Sequence, residues 1–468
     1  MSLPMAAGAL LVGLPYSISL VAQWMYGWPN KPGYKKYIEA LKPRRIYCLT
    51  RAVLEMLKYF QYGKLYFQWK SWYKNVENHK HYEKGITFGR RSNKLDMYYS
   101  PNVSQSGSGS APVIVFIYGG GWGSGERSIY CLLAMQMAKE LNATVICPDY
   151  STYPKGNVLC MVQDIADCLI WVRESSKRFN LDKDNIVLIG HSAGAHLAAL
   201  TVLFMVEGRD ELFIEASKQT EIATAIRGIT GLSGVYNIVD HYEHEQMRAV
   251  EYVSTMHKAM NGVENFPYYS PTHLLKKFSK DQLNRVPPVC LLHGTNDIIV
   301  PVSSSQRFSD LLTSLSVRVS LHLMPKMDHT EIVTDLMATD RHFYTPVYSC
   351  IKQDYSKFLG QVFWAGFGLT TPLKMNMVKR IMGRPRQEEC SPQDNALGLM
   401  HLRRLFSELC HPPRQMTQKE QEEKLYMMLP VFNRGGAFRR RLERLGEKLR
   451  ARGMTRNCPA REQRLQLG

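Results

Sequence analysis

Gly190-His191-Ser192-Ala193-Gly194 sets a serine between two glycines, and a serine held that way can serve as a nucleophile. An apolar run, Ile186-Val187-Leu188-Ile189, precedes it, and a small-residue segment from Ala195 to Leu200 follows. The pattern predicts strand, sharp turn, helix. Glycines are required there because a Cβ would collide with the flanking elements. The turn pushes Ser192 Oγ out at the head of the strand. The new helix starts behind it, so the Ala193 N–H faces any oxyanion formed in front. This is the equipment of acyl transfer.

Three other segments carry groups that such chemistry needs. Tyr118-Gly119-Gly120-Gly121-Trp122-Gly123 follows an apolar run and precedes a helical pattern. Consecutive glycines let N–H groups face inward, so Gly119 and Gly120 are expected to complete the oxyanion hole with Ala193. Phosphate binding is the weaker reading, since neither the G-x-G-x-x-G spacing nor a following Lys-Ser/Thr is present. Asp297, in His293-Gly294-Thr295-Asn296-Asp297, can orient an imidazole, or can simply cap a turn. His329, after the last apolar run, completes the order Ser, Asp, His of the α/β-hydrolase arrangement. Asp328 is the second choice of acid. Tyr118, Trp122, His191 and Tyr236 are candidates for lining the substrate. No cluster has metal-ligand spacing, so neither metal nor cofactor is expected.

These segments sit where a parallel sheet would bring them together. Strands are predicted at 113–118, 143–147, 186–189, 226–232, 289–293 and 319–324. Helices are predicted at 128–141, 158–179 and 303–315, and a long irregular stretch runs to Pro271. The long helix is expected to turn Asp164, Asp167, Arg173 and Lys177 to solvent. Strand–helix alternation implies parallel pairing with right-handed crossovers, with helices on both faces of the sheet. Reactive groups then collect at the carboxyl ends of the strands.

The chain of 468 residues carries a net charge of +18. From Leu373 onward there are 21 Lys+Arg against 10 Asp+Glu, a basic tail suited to an anionic membrane or to solvent. It lacks the aromatic interleaving of single-strand nucleic-acid binders, so no nucleic-acid partner is expected. The ten cysteines form no C-x-x-C pair and read as reduced core residues. No charged residue precedes Lys31, and the run from Leu3 to Trp28 ends in Trp24, Tyr26 and Trp28. Its length suits a membrane anchor, kinked or re-entrant at Pro15, and the missing basic n-region counts against the competing reading of a cleaved signal peptide. The basic cluster after it (Lys31 to Arg51) places the remainder in the cytosol by the positive-inside rule. Residues 46–69 read as an amphipathic helix, lying either in the membrane surface or on the catalytic domain. The expected organisation is a membrane anchor at 1–30, a basic and aromatic juxtamembrane region at 31–83, a catalytic domain at 84–365, and a partly disordered basic extension at 366–468. A flexible loop is expected over 104–110.

Residues 113–341 resemble the isoprenylcysteine carboxyl methylesterases, an α/β-hydrolase group. The shared landmarks are Gly119-Gly120-Gly121-Trp122, Asp149-Tyr150, the Ser192 elbow through His196, Gly231-Leu232-Ser233-Gly234-Val235-Tyr236-Asn237, Ser270-Pro271, His293-Gly294 with Asp297, and His329-Thr330. His241 and His244 follow the Gly231–Asn237 segment. The resemblance implies a membrane enzyme of the endoplasmic reticulum or Golgi, its catalytic domain facing the cytosol. It would hydrolyse the methyl ester of a prenylated C-terminal cysteine through an acyl-serine. Many relatives carry His where this chain has Tyr118. An arylformamidase-like or broad small-ester hydrolase would use the same parts, and a non-catalytic binding module on this fold is the reading from another class.

Overall fold

The computed structural model describes residues 3–26, 33–57, 63–100 and 110–360. The extension at 366–468 and most of the 104–110 loop lie outside the described residues.

Eight strands form one sheet in the order β1-β2-β4-β3-β5-β6-β7-β8. They are β1 (Tyr82–Phe88), β2 (Asn93–Tyr98), β3 (Ala111–Ile117), β4 (Thr144–Pro148), β5 (Leu181–His191), β6 (Ile226–Leu232), β7 (Val289–Gly294) and β8 (Val319–Met324). From β4 to β8 all pairing is parallel; β2 runs antiparallel to both β1 and β4. The larger helices are α1 (Leu3–Tyr26), α2 (Lys35–Ala40), α3 (Pro43–Leu57), α4 (Gly63–Lys74), α5 (Cys131–Leu141), α6 (Val158–Glu174), α7 (Ala193–Glu207), α8 (Ala216–Ala225), α9 (Ile238–Met247), α10 (Ser303–Ser314) and α11 (Tyr344–Phe358).

The strand order fixes the layers. The step from β3 to β4 moves one way along the sheet, and the step from β4 to β5 moves the other way. Right-handed crossovers therefore put α5 on one face and α6 on the opposite face. Contacts follow this rule: α11 packs on α5, and α6 packs on α7. β5 is covered from both sides, and Ile186 to His191 are all buried. α7 is buried all round from Ala193 to Val206, as a central helix apolar on every face must be. This strand order, with the serine after β5, is the α/β-hydrolase fold.

The β1–β2 hairpin was not expected, because Glu83, Lys84, Lys94 and Asp96 break the apolar runs. It changes the expected place of Asp164 and Asp167. Both are buried rather than solvated. Arg90 at the hairpin turn grips Asp167 through Nε and Nη2 at 2.9 and 2.7 Å. Arg91 Nη1 reaches Asp164 Oδ1 at 2.9 Å. The bidentate Arg90–Asp167 pair and the single Arg91–Asp164 bond tie the hairpin to α6. The stretch expected to be irregular after β6 contains α9 and several short helical turns.

The amino-terminal helices differ from the expected span. Among the described residues no helix is long and apolar enough to cross a membrane. α1 buries Ser19 and Gln23. Ser19 Oγ donates to the Ala40 carbonyl at 2.8 Å and lies 3.3 Å from Tyr252 Oη. Arg45 pairs with Glu251 at 2.7 Å, and Arg44 donates to the Met247 carbonyl at 3.1 Å. α1, α2 and α3 thus rest on the segment that follows α9. Their other sides expose large apolar side chains, among them Leu11, Leu14, Trp24 and Tyr47.

Candidate active site

Four chain segments leave the carboxyl ends of parallel strands, and each delivers part of the site. Gly119 follows β3, Ser192 follows β5, Asp297 follows β7 and His329 follows β8. Ladder bonds hold these ends level: Ile117 pairs Gly190, His191 pairs Leu232, and Gly294 pairs Met324.

Ser192 has φ 52° and ψ −119°, a conformation an L-residue holds only under constraint. The constraint is close packing at both glycines. A Cβ on Gly194 would lie 2.1 Å from the Ile117 carbonyl oxygen, and one on Gly190 would lie 2.4 Å from the Gly194 oxygen. His329 Nδ1 lies 2.7 Å from Asp297 Oδ2, and His329 Nε2 lies 3.0 Å from Ser192 Oγ. A carboxylate only accepts, so Nδ1 carries the proton. Nε2 is then the acceptor for the serine hydroxyl, the tautomer a general base requires.

Asp297 is fixed by more than this bond. Its Oδ1 accepts from the Ile299 and Val300 N–H groups at 2.9 Å each. His293 Nε2 donates to the Val300 carbonyl at 3.0 Å and lies 3.2 Å from Asp297 Oδ2, while Ser305 Oγ sits 2.7 Å from His293 Nδ1. Burial alone would push the Asp297 carboxyl up. The nearby His329 imidazole and hydrogen bonds from His293 and His329 override it and hold the carboxylate well below its usual range. Asp328 plays another part: its Oδ1 caps the Thr330 and Glu331 N–H groups at 2.8 and 2.9 Å.

The glycine loop lies against the serine. A Cβ on Gly119 would be 3.0 Å from Ser192 Cβ and 2.9 Å from His191 Nδ1. Among the described turn and loop bonds, the Gly119 and Gly120 N–H groups have no backbone acceptor. The Ala193 N–H opens a helix and has none within it. Gly120 and Gly121, at φ +135° and +58°, give the loop its path. Gly119→Ala is expected to displace these donors and lower kcat about 10²-fold with little change in KM. Wild-type ester kinetics in this variant would contradict the assignment.

The four residues expected to line the substrate are buried, and each is held by a neighbour. Tyr118 is stacked between Tyr130 and Tyr150, with Oη 3.1 Å from Asp149. Trp122 Nε1 donates to His196 Nδ1 at 3.1 Å, and His196 Nε2 donates to the Tyr269 carbonyl at 2.7 Å. Tyr236 stacks on Phe308 at 4.2 Å. His191 Nε2 donates to the His329 carbonyl at 3.0 Å, which steadies the loop carrying the imidazole. Sequence reasoning also missed His293 as the partner of Asp297, although its position on β7 was the available signal. It did not foresee that His244, on α9, would donate to the Ile298 carbonyl at 3.1 Å, beside Asp297.

Three buried histidines share a consequence. Burial lowers His191 to about 3, His196 to about 4 and His241 to about 3. Each is neutral in the folded protein, while the unfolded chain takes up a proton below pH ~6.5. Stability is therefore fully present above that pH and is lost as pH falls toward 4. Between pH 7 and pH 5 the loss is about 2 kcal/mol per histidine. Urea unfolding midpoints at the two pH values check this; an unchanged midpoint would contradict it.

Comparisons with known proteins agree with the resemblance drawn from the sequence. The BD-FAE family model matches residues 95–312. The isoprenylcysteine alpha-carbonyl methylesterase ICME of Arabidopsis thaliana is 33% identical over 255 residues, 54% of this chain and 57% of that one. The Oryza sativa subsp. japonica protein named "Probable isoprenylcysteine alpha-carbonyl methylesterase ICME" is 32% identical over 243 residues, 51% and 56% of the two chains. The chain therefore spans a little over half the length of these relatives. The esterase LipQ of Mycobacterium tuberculosis is 27% identical over 283 residues, 60% of this chain and 62% of that one. Among solved structures, esterase B of Lactobacillus rhamnosis aligns with a TM-score of 0.49 and 18% identity, covering 66% of this chain and 95% of that one.

Proposed function

We propose that this protein is a serine ester hydrolase that works through an acyl-serine intermediate. The observation that carries the reading is the unbroken relay from Asp297 through His329 to Ser192, at 2.7 and 3.0 Å. His329 Nε2 takes the hydroxyl proton as Ser192 Oγ bonds to the ester carbonyl carbon. The carbonyl oxygen becomes an oxyanion and rests on the N–H groups of Gly119, Gly120 and Ala193. Asp297 steadies the imidazolium. The tetrahedral centre then collapses, the ester C–O bond breaks, and His329 returns its proton to the departing alcohol. Water, deprotonated by the same imidazole, attacks the acyl-serine and releases the acid.

We assign the substrate as the methyl ester of a prenylated C-terminal cysteine. Two things support this: the names of the methylesterase relatives, and the large apolar side chains exposed on α1 and α3. Leu11 and Trp24 are 78% and 74% exposed. Lys35, Lys36, Arg44 and Arg51 lie on the neighbouring helices. Apolar residues beside cations suit the surface of an anionic bilayer, where a prenyl chain resides.

The substrate test compares a prenylcysteine methyl ester, a short aryl ester and an aryl formamide. The proposal expects the highest kcat/KM for the first. Preference for the formamide would replace it with an arylformamidase, and equal rates with a broad esterase. The membrane test is sedimentation with vesicles of phosphatidylcholine and phosphatidylserine. Leu11→Asp with Trp24→Asp is expected to release the protein; binding as in the wild type would remove α1 from the account.

A further inference from the structure

A second cluster of reactive side chains lies at the opposite end of β7 from Asp297. Cys290 is the second residue of β7, and its ladder partner Ser320 opens β8 with Val319. His322 is two residues further along β8, so Ser320 and His322 point to the same face. α11 crosses these strands and presents Cys350 and Asp354, one helical turn apart. Donor atoms of Cys290, His322 and Asp354 all lie within 4.8 Å of one another. His322 Nε2 is 2.7 Å from Asp354 Oδ2, and Cys290 and Cys350 both lie close enough to act on the same imidazole. Cys290 and Asp354 are buried, and His322 is partly accessible. The four residues are scattered over 65 positions of sequence from 290 to 354, so no ligand spacing announces them.

We propose that Cys290, His322, Cys350 and Asp354 form a binding site for one zinc ion, separate from the ester-hydrolysing site. Two thiolates, one imidazole and one carboxylate are the donor set that a tetrahedral zinc takes. With metal–ligand distances of about 2.0–2.3 Å, tetrahedral donors sit about 3.3–3.8 Å apart, so closing the Cys290–His322–Asp354 cluster needs shifts of about 1 Å, with Cys350 drawn in beside it from α11. Ser320 Oγ donates to Asp354 Oδ2 at 2.8 Å, the supporting contact that orients a ligating carboxylate. Lys357 Nζ holds Asp354 Oδ1 at 2.7 Å, but its side chain is 58% exposed and is free to swing into solvent. Binding displaces the thiol protons and the shared His322–Asp354 proton to solvent. The ion would pin α11 to β7 and β8. Without metal the same groups make an ion pair of His322 with Asp354, and the experiment must separate these two states.

The whole 468-residue chain, stripped with a chelator and kept reduced, is titrated with cobalt(II) as the spectroscopic probe and then with zinc. The expected result is a thiolate-to-cobalt charge-transfer band that saturates at about one equivalent and is displaced by zinc. Zinc should also raise the melting temperature. Cys350→Ser and His322→Gln should each weaken binding at least ~10-fold and abolish the rise, while Cys350→Ser keeps wild-type ester turnover. If His322→Gln does not fold, Cys350→Ser, at a half-buried position, decides alone. Absence of a thiolate band would overturn the proposal. So would metal bound equally by wild type and Cys350→Ser, because that metal would lie elsewhere, as on Cys390, Cys410 or Cys458.

Discussion

Ser192→Ala is expected to lower kcat on an activated aryl ester by ~10⁵–10⁶-fold while leaving the fold and melting temperature near those of the wild type. The substitution removes one oxygen at a position that is 7% exposed and already held by its neighbours' backbone. What remains is the oxyanion loop and whatever substrate binding the cleft supplies, which together leave a residual 10³–10⁴-fold over water in comparable triads. The measurement is single-turnover and steady-state ester hydrolysis on protein purified from a background free of other esterases. A loss of less than ~10-fold would mean that another group attacks the ester.

Asp297→Asn should cost ~10⁴-fold in kcat, nearly as much, though it changes only one atom. The amide would donate as well as accept. Next to His329 Nδ1, 2.7 Å away, it would favour the imidazole tautomer with the proton on Nε2. That nitrogen could no longer accept from Ser192 Oγ, 3.0 Å away. Two further bonds argue that the side chain stays in place: Ile299 and Val300 N–H groups, each at 2.9 Å, still meet the amide oxygen. Activity loss should therefore come without unfolding. A variant that retains a tenth of wild-type kcat would show that Asp297 only caps its turn.

Why was the reactive centre legible in the sequence while its surroundings were not? The elbow, the glycine loop and Asp297 each follow a short buried strand announced by a continuous apolar run such as Ile186–Ile189, and His329 follows the half-buried strand β8, announced by alternation. Parallel topology then determines that their ends meet. β1 and β2 gave no such signal because their charged residues find partners far along the chain; Asp96 bonds the Gly85 N–H and Arg127. Asp164 and Asp167 looked like a solvated stripe for the same reason, since Arg90 and Arg91 lie some seventy positions away. α9 was hidden in a stretch whose polar residues mask helical spacing. Tyr118, Trp122 and Tyr236 neighbour the motifs along the chain, yet their rings turn into packing that only the tertiary structure defines. The apolar amino end showed its length, but not that Ser19 and Gln23 would face protein.

Reaction with a fluorophosphonate, read by intact mass and peptide mapping, tests the central claim most directly. The account predicts one adduct per chain on Ser192, formed ~10³-fold or more slowly in His329→Ala. An adduct on another residue, or labelling of Ser192 at an undiminished rate without the imidazole, would contradict it.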